Sequence, residues 1–549
     1  MSDTSAVAPQ KSRMGLVVAA SAAGTVFEWY DFFIFGSLAA IIAKHFFAGA
    51  GETQSYILAL LTFAAGFAAR PFGALFFGRL GDRTGRKRTF LVTITLMGLA
   101  TFVVGFLPDA NAIGLAAPYA LVALRVFQGF AIGGEYGGAA IYVAEHAAPN
   151  RRGLATGWIQ IAASLGLILA LVVILVTRRI MGEDVFGAWG WRIPFLLSAI
   201  LLVISLWIRL KLHESPLFQR IQQAGELART PLREAFFHWA NLKLVLVALF
   251  GVLMGQGVVW YAAQFYTQFF LERVLKLDGA LVNELIIAVT ISTVPFYVFF
   301  SWLSDRIGRK PIMLVGLLVA AVCYFPGFQM LTKAVNPAMA EAAARAPASV
   351  VADPADCTVQ FDILGQAKYV SSCDIAKSAL TKAGVAYRNE AASDGAYAHV
   401  HIGTQDVESP DGHAMNAADL AAAKKDFDVR LQSALKAAGY PAKADPNAVD
   451  IPRAFIVLMI FGLAAAALYA PQAAALVELF PTRIRYSALS VPYHIGVGWF
   501  GGFLPATAFA IVAATGNIYA GLWYPAIVAS IGFFVTLLFL PETYKRTIE

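Results

Sequence analysis

The chain has 549 residues, 58% hydrophobic and 14% charged, with a mean hydropathy of +0.65 and a formal net charge of +7. Soluble globular chains carry roughly a quarter charged residues, so this composition excludes a water-soluble domain and points to an integral membrane protein. The basic balance is assigned to loops at a membrane surface, and nucleic acid is excluded as a partner.

In chain order, the polar start (1–14) leads into an apolar run with no small-residue cleavage site, which reads as an uncleaved first span. A spanning helix needs roughly 20 mostly apolar residues. Twelve such segments are predicted, at 15–43, 54–78, 89–107, 114–145, 154–177, 190–211, 244–271, 281–303, 311–331, 453–479, 486–512 and 517–540. They divide the chain into an N-terminal six-helix bundle (15–211), a polar linker (212–243), spans seven to nine (244–331), an insert (332–452), spans ten to twelve (453–540) and a C-terminal tail (541–549). Lysines and arginines concentrate in alternate connections, including Arg83, Arg86, Arg151, Arg152, Arg306 and Arg309. That asymmetry predicts both termini in the cytoplasm and the insert on the outer face.

Span one carries Glu28 and Asp31 three residues apart in GTVFEWYDFFIFG, on one helical face. Charges inside a bilayer are costly, about 2.5–3.5 kcal/mol on insertion scales, and mark cavities, relays or partners. Two adjacent carboxylates suit the loading and release of a proton. Span four places Arg125 and Gln128 one turn apart, then Glu135 in GGEYGG, whose glycines allow close helix packing; Arg125 and Glu135 are candidates for proton coupling and Gln128 for solute binding. Arg125 can tune a nearby acid or hold an anion, but it cannot give up its own proton. A buried structural ion pair is the competing reading of Arg125 and Glu135. In span seven, Gln256, Trp260 and Gln264 form an i, i+4, i+8 stripe suited to a polar solute, with Tyr261 on the flanking face. Tyr469 and Gln472 occupy similar positions in span ten. His494 in span eleven reads as a hydrogen-bonded structural histidine.

In the insert, 358–365 and 396–404 alternate like strands, whereas 373–387 and 417–440 read as helices. Cys357 and Cys373 are its only cysteines, and an oxidising outer compartment would pair them. His399, His401 and His413 fall short of the three or four convergent ligands that a metal needs, so no metal is expected. No cofactor is expected either: the GRLGDRTGRK segment (78–87) lacks P-loop spacing, and there is no nucleophile–base pair or dinucleotide loop to suggest an enzyme.

The chain also repeats itself. GRLGDRTGRK (78–87) has a counterpart in SWLSDRIGRK (301–310), YVAEHAAPNRRG (142–153) in LVELFPTRIR (476–485), and HESP (213–216) in PET (541–543). Two related halves imply a binding site between them near the bilayer midplane. These segments, with ALRVFQGFAIGGEYGG (123–138), FEWYDFFIFG and AWGWRIPF (188–195), resemble the major facilitator superfamily, and within it the metabolite–proton symporter branch. That branch carries solutes such as proline, betaine, α-ketoglutarate, citrate and shikimate. The resemblance covers all twelve spans and departs from the family at the insert.

It implies an all-α membrane protein, twelve helices in two pseudo-symmetric six-helix bundles, with a small α/β extracytoplasmic insert between spans nine and ten. It further implies a monomer in a bacterial inner membrane, moving a small polar metabolite with protons by alternating access. It links Arg125 to proton transfer, and implies a gate that locks the outward-facing state through Gly78, Asp82, Arg83, Gly85 and Arg86, with Asp305, Arg306 and Arg309 as the second copy. A nutrient sensor using the insert and a proton-driven efflux carrier remain alternatives.

Overall fold

The computed structural model describes residues 14–47, 52–210, 216–225, 228–358 and 369–548. Among them, ten helices are long and apolar enough to cross a membrane. In chain order they are Lys87–Val104, Ala116–His146, Pro149–Met181, Arg192–Leu210, Trp239–Val274, Gly279–Ile307, Arg309–Val335, Ile451–Leu479, Arg485–Val512 and Ala520–Phe539. Two further helices precede them, Met14–Ser37 (continued by Ala39–Phe46) and Glu52–Thr84, giving two bundles of six. One apolar core runs through both bundles and includes Phe33, Tyr136, Trp260 and Leu489.

Several expected boundaries move. Span two continues to Thr84, so Gly78, Asp82 and Arg83 belong to its last turns and not to a loop. The turn is made at Gly85, where φ is 105°, and in the second half at Gly308, where φ is 109°. Backbone of this hand favours glycine, which explains a glycine before RK in both copies. Span seven begins at Trp239, inside the expected linker, which also holds helices Pro216–Gln223 and Pro231–Phe237. Span seven contains π-helical turns at Ala248–Leu253, Ala262–Tyr266 and Phe270–Val274.

The insert is a separately cored α/β lobe, with Val350, Leu380, Val400, Ile402, Phe427 and Leu431 at its centre. Its sheet has the order β2-β1-β3-β4, formed by β1 (Ala348–Ala352), β2 (Tyr387–Ala391), β3 (His399–Ile402) and β4 (Gln405–Glu408). β1 and β2 are parallel, joined through helix Ser372–Ala383, while β3 and β4 form a hairpin turning at Gly403. The expected helix 373–387 therefore stops early: Gly384, at φ 74°, ends it, and Tyr387 opens a strand. The expected strand at 358–365 lies outside the described residues from 359 onward. Cys357 and Cys373 are disulfide-bonded with their Cα atoms 5.2 Å apart. The lobe is fastened to the second bundle: Tyr387 N–H donates to Gly516 O (2.8 Å), Ala444 N–H to Lys276 O (3.0 Å) and Asn336 Nδ2 to Leu275 O (3.0 Å).

Candidate functional site

Spans four and ten are each broken near mid-membrane, at Gly133–Gly134 and at Ala470–Pro471. The resumed half-helices begin with Glu135 and Gln472, both buried. In span four, side chains are kept small so that backbones can touch. A Cβ at Gly129 would collide with Gly66, and one at Gly133 with the Arg70 carbonyl.

Glu28 and Asp31 lie at this level and are 5% and 4% exposed. Glu28 is within electrostatic reach of Glu135, Arg70, Arg209 and Asp31. Asp31 lies beside Thr101 and Arg125. One oxygen of each acid, Glu28 Oε2 and Asp31 Oδ1, has no hydrogen-bond partner. Arg125 donates from Nη1 to Gln128 Oε1 and stacks on Phe35 at 4.0 Å, while Gln128 Nε2 donates to Thr101 Oγ1 at 2.7 Å. Gln128 thus orients Arg125 beside Asp31. Glu135 is different: it forms a 2.6 Å ion pair with Arg209, both side chains being fully buried, and accepts from Thr93 Oγ1 at 2.9 Å. Arg209, in the last turn of span six, reaches inward because residue 24 is glycine, where a Cβ would collide with its guanidinium. Arg70, which the sequence reading passed over, is 3% exposed and rests on the Phe32 and Phe67 rings at 4.7 and 4.3 Å.

The second bundle supplies the opposite wall. Trp260 meets Trp29 (5.9 Å) and Phe33 (6.3 Å) of span one, and Gln256 Oε1 and both amide atoms of Gln472 have no hydrogen-bond partner. The expected stripe does not persist through Gln264. The π turn at Ala262–Tyr266 slips the register, and Gln264 faces Thr290 of span eight at 3.4 Å. Tyr261, which precedes the π turn on the flanking face, lies against Phe67 of span two at 5.6 Å. Tyr469 joins a tyrosine cluster: its hydroxyl lies 3.4 Å from that of Tyr493, which stacks on Tyr136 at 3.7 Å. Its carbonyl accepts from Gln160. His494 is buried and faces the backbone of Gly133 in span four. Among the described residues, no group of three or more histidines, cysteines or acids could hold a metal.

The second constellation closes the end of the molecule opposite the insert, and it is duplicated. Asp82 accepts from the N–H groups of Tyr486 (3.1 Å) and Ser487 (2.9 Å), opening span eleven. Asp305 accepts from those of Gly153 (2.9 Å) and Leu154 (2.8 Å), opening span five. Each carboxylate therefore satisfies a helix N-terminus belonging to the other bundle. The Asp82 contact is a helix cap made from one bundle to the other. Gly78 permits the approach, since a Cβ there would lie 3.1 Å from Ser487 Cα. Arg309 pairs with Asp305 (2.7 Å) and Glu478 (3.1 Å), Arg152 approaches Glu478 (3.7 Å), and Arg485 pairs with Glu145 (2.7 Å). Glu542 of PET accepts from the N–H groups of Arg309 and Lys310. Arg83 is exposed, Arg306 lies over Trp302 at 4.1 Å, and the Arg86 side chain is outside the described set. Glu145, Glu478, Glu542, Arg152 and Arg485 were missed as site residues, although the repeated segments that carry them were visible.

The family profile of the sugar (and other) transporters matches residues 16–237 and 437–549, and that of the MFS/sugar transport proteins matches 139–346. A shikimate transporter of Escherichia coli strain K12 is 37% identical over 327 residues, 58% of this chain and 73% of the relative. A proline/betaine transporter of Salmonella typhimurium is 33% identical over 324 residues, 57% of this chain and 64% of the relative. The solved structure of the proton:xylose symporter XylE bound to 6-bromo-6-deoxy-D-glucose shares the fold, with a TM-score of 0.65 at 15% identity over 97% of both chains.

Proposed function

The chain belongs to the sugar (and other) transporter family of the major facilitator superfamily, a multi-pass secondary active transporter and not an enzyme, and from that premise we propose that it imports a small polar metabolite, an organic acid or zwitterion, together with protons. The observation that carries this reading is the pair Glu28 and Asp31, buried in the first bundle, each with an oxygen that has no hydrogen-bond partner among the described residues. Buried carboxylates left unsatisfied are costly unless they are protonated or completed by a ligand. Asp31 and Glu28 carry the proton, Arg125 and Gln128 tune Asp31, and Gln256, Trp260 and Gln472 line the solute path. Glu135 holds the bundle together through Arg209. On this reading the paired carboxylate caps form a cytoplasmic gate, with both termini on the cytoplasmic side of a bacterial inner membrane and the insert outside. Alternating access follows when proton and solute together bind one state better than the other.

The test is uptake of labelled shikimate, proline and glycine betaine into proteoliposomes under an imposed inward proton gradient. Accumulation of one solute that a protonophore abolishes is the expected result. Gradient-independent movement of every solute that enters would overturn proton coupling.

A further inference from the structure

Arg70 sits apart from the other buried arginines. Arg152, Arg209, Arg309 and Arg485 each meet a carboxylate within 4 Å, and Arg125 is hydrogen-bonded to Gln128. Arg70 makes no hydrogen bond or ion pair among the described residues, and its guanidinium lies over the Phe32 and Phe67 rings. It sits where the bundles meet: Phe32 and Phe67 belong to spans one and two, and Gly498 of span eleven faces the Arg70 Cδ. Glu28 is within electrostatic reach but forms no pair with it, and Arg125 is close enough to repel it. Beyond Phe67 lies Tyr261, whose hydroxyl is also unpaired.

A guanidinium cannot shed its proton to escape a low-dielectric site, and an unpaired buried charge is the costliest arrangement a fold can retain. With Glu28 and Asp31 protonated, the acids that face these two mutually repelling arginines are neutral, and the pair becomes a receptor for an anion. Of the anions available to a small metabolite, a carboxylate matches the guanidinium fork. Building on the symport reading above, we infer that Arg70 is the docking point for a carboxylate of the transported solute, with the Tyr261 hydroxyl as a further donor and the Trp29–Phe33–Trp260 aromatic wall receiving the rest of the molecule. The acids Glu28 and Asp31 are then left free for the proton.

The experiment compares thermal stabilisation of the purified full chain by shikimate, proline and glycine betaine with stabilisation by the primary amides of the same acids, in wild type, Arg70→Gln and Arg70→Lys. At least one acid stabilises wild type and its amide does not. Arg70→Gln raises the apparent Kd for that acid at least about 30-fold, the lower range for losing one partner of a buried charge pair, and Arg70→Lys, which keeps charge but loses the fork, falls between. Unliganded melts of the three proteins report folding separately. An amide that stabilises as well as its acid, an unchanged Kd in Arg70→Gln, or no stabilisation of wild type by any acid overturns the assignment. Proton coupling is judged by the gradient dependence of wild-type uptake, so either idea can fail without the other.

Discussion

The charged groups at the closed end and those at the bilayer centre obey opposite rules. At the closed end every acid of the latch has partners: Glu478 meets two arginines, Glu145 meets Arg485, and Asp82 and Asp305 each accept two backbone N–H groups. At the centre, Glu28, Asp31, Arg70 and Gln472 all retain unpaired polar atoms. A saturated network holds one conformation together without help. An unsaturated one that is equally buried is completed, on the function proposed above, by a proton and a solute that come and go. Glu135 lies at the centre but is paired as the acids of the closed end are, with Arg209 at 2.6 Å and Thr93 at 2.9 Å.

That exception gives the largest expected effect. Arg209→Met leaves Glu135 buried and unpaired, which should destabilise the chain by about 3–5 kcal/mol, and the double variant Glu135→Leu/Arg209→Met should recover most of the loss. Thermal melts in detergent decide. If the single variant melts like wild type, Glu135 belongs with the unpaired centre after all. Next in size, Asp31→Asn should reduce gradient-driven accumulation on the order of 100-fold, the scale of a positioned proton-transfer group, while counterflow of preloaded solute continues without a gradient. Loss of both would make Asp31 a solute ligand or a structural group. Smaller again, Asp82→Asn removes an anionic helix cap worth about 1 kcal/mol. The closed end should then open more often, and Ser487→Cys, which lies under Gly78, should react with a thiol reagent about fivefold faster than in the Asp82 background, a factor that follows from that energy. Unchanged labelling would reduce the Asp82 contact to local capping.

Spans, halves and insert were legible in the sequence because each rests on a strong one-dimensional signal: apolar length, repetition, and a polar interruption. Asp31, Arg125 and the paired Asp82 and Asp305 segments were visible for the same reason. Partners were not. Glu135 and Arg209 are far apart in sequence, and nothing local says that Arg209 reaches past Gly24 into the core. Arg70 was hidden by neighbours such as Arg79 and Arg83, which read as one basic cluster at a membrane edge, although Arg70 lies inside the helix and is buried. Gln264 left the stripe because the π turn at Ala262–Tyr266 adds one residue to the register, which a 3.6-residue period cannot anticipate. β2 escaped because YRNEA has no apolar alternation. It is held by backbone pairing to β1 and by the Tyr387–Gly516 bond.

The insert extends the comparison to charges in water, where the smallest effect is expected. His413 Nδ1 lies 2.6 Å from Asp411 Oδ1 at the surface of the lobe. The hydrogen bond to this carboxylate and its charge raise the histidine above its ordinary value. A raised value in the folded lobe means that the ion pair contributes in full below about pH 6.5, the ordinary histidine value, and that the contribution disappears as pH climbs through the raised one. Solvent screens exposed pairs strongly, so the change should be local. The amide of Gly412, between the two residues, donates to Val370 O at 2.7 Å, and its hydrogen-exchange protection, corrected for intrinsic rate, should decline from pH 6 toward pH 8. His413→Asn should flatten that dependence. A wild-type profile already flat would mean that the backbone bond to Val370 alone fixes this turn, and that charges matter in this molecule only where water is excluded.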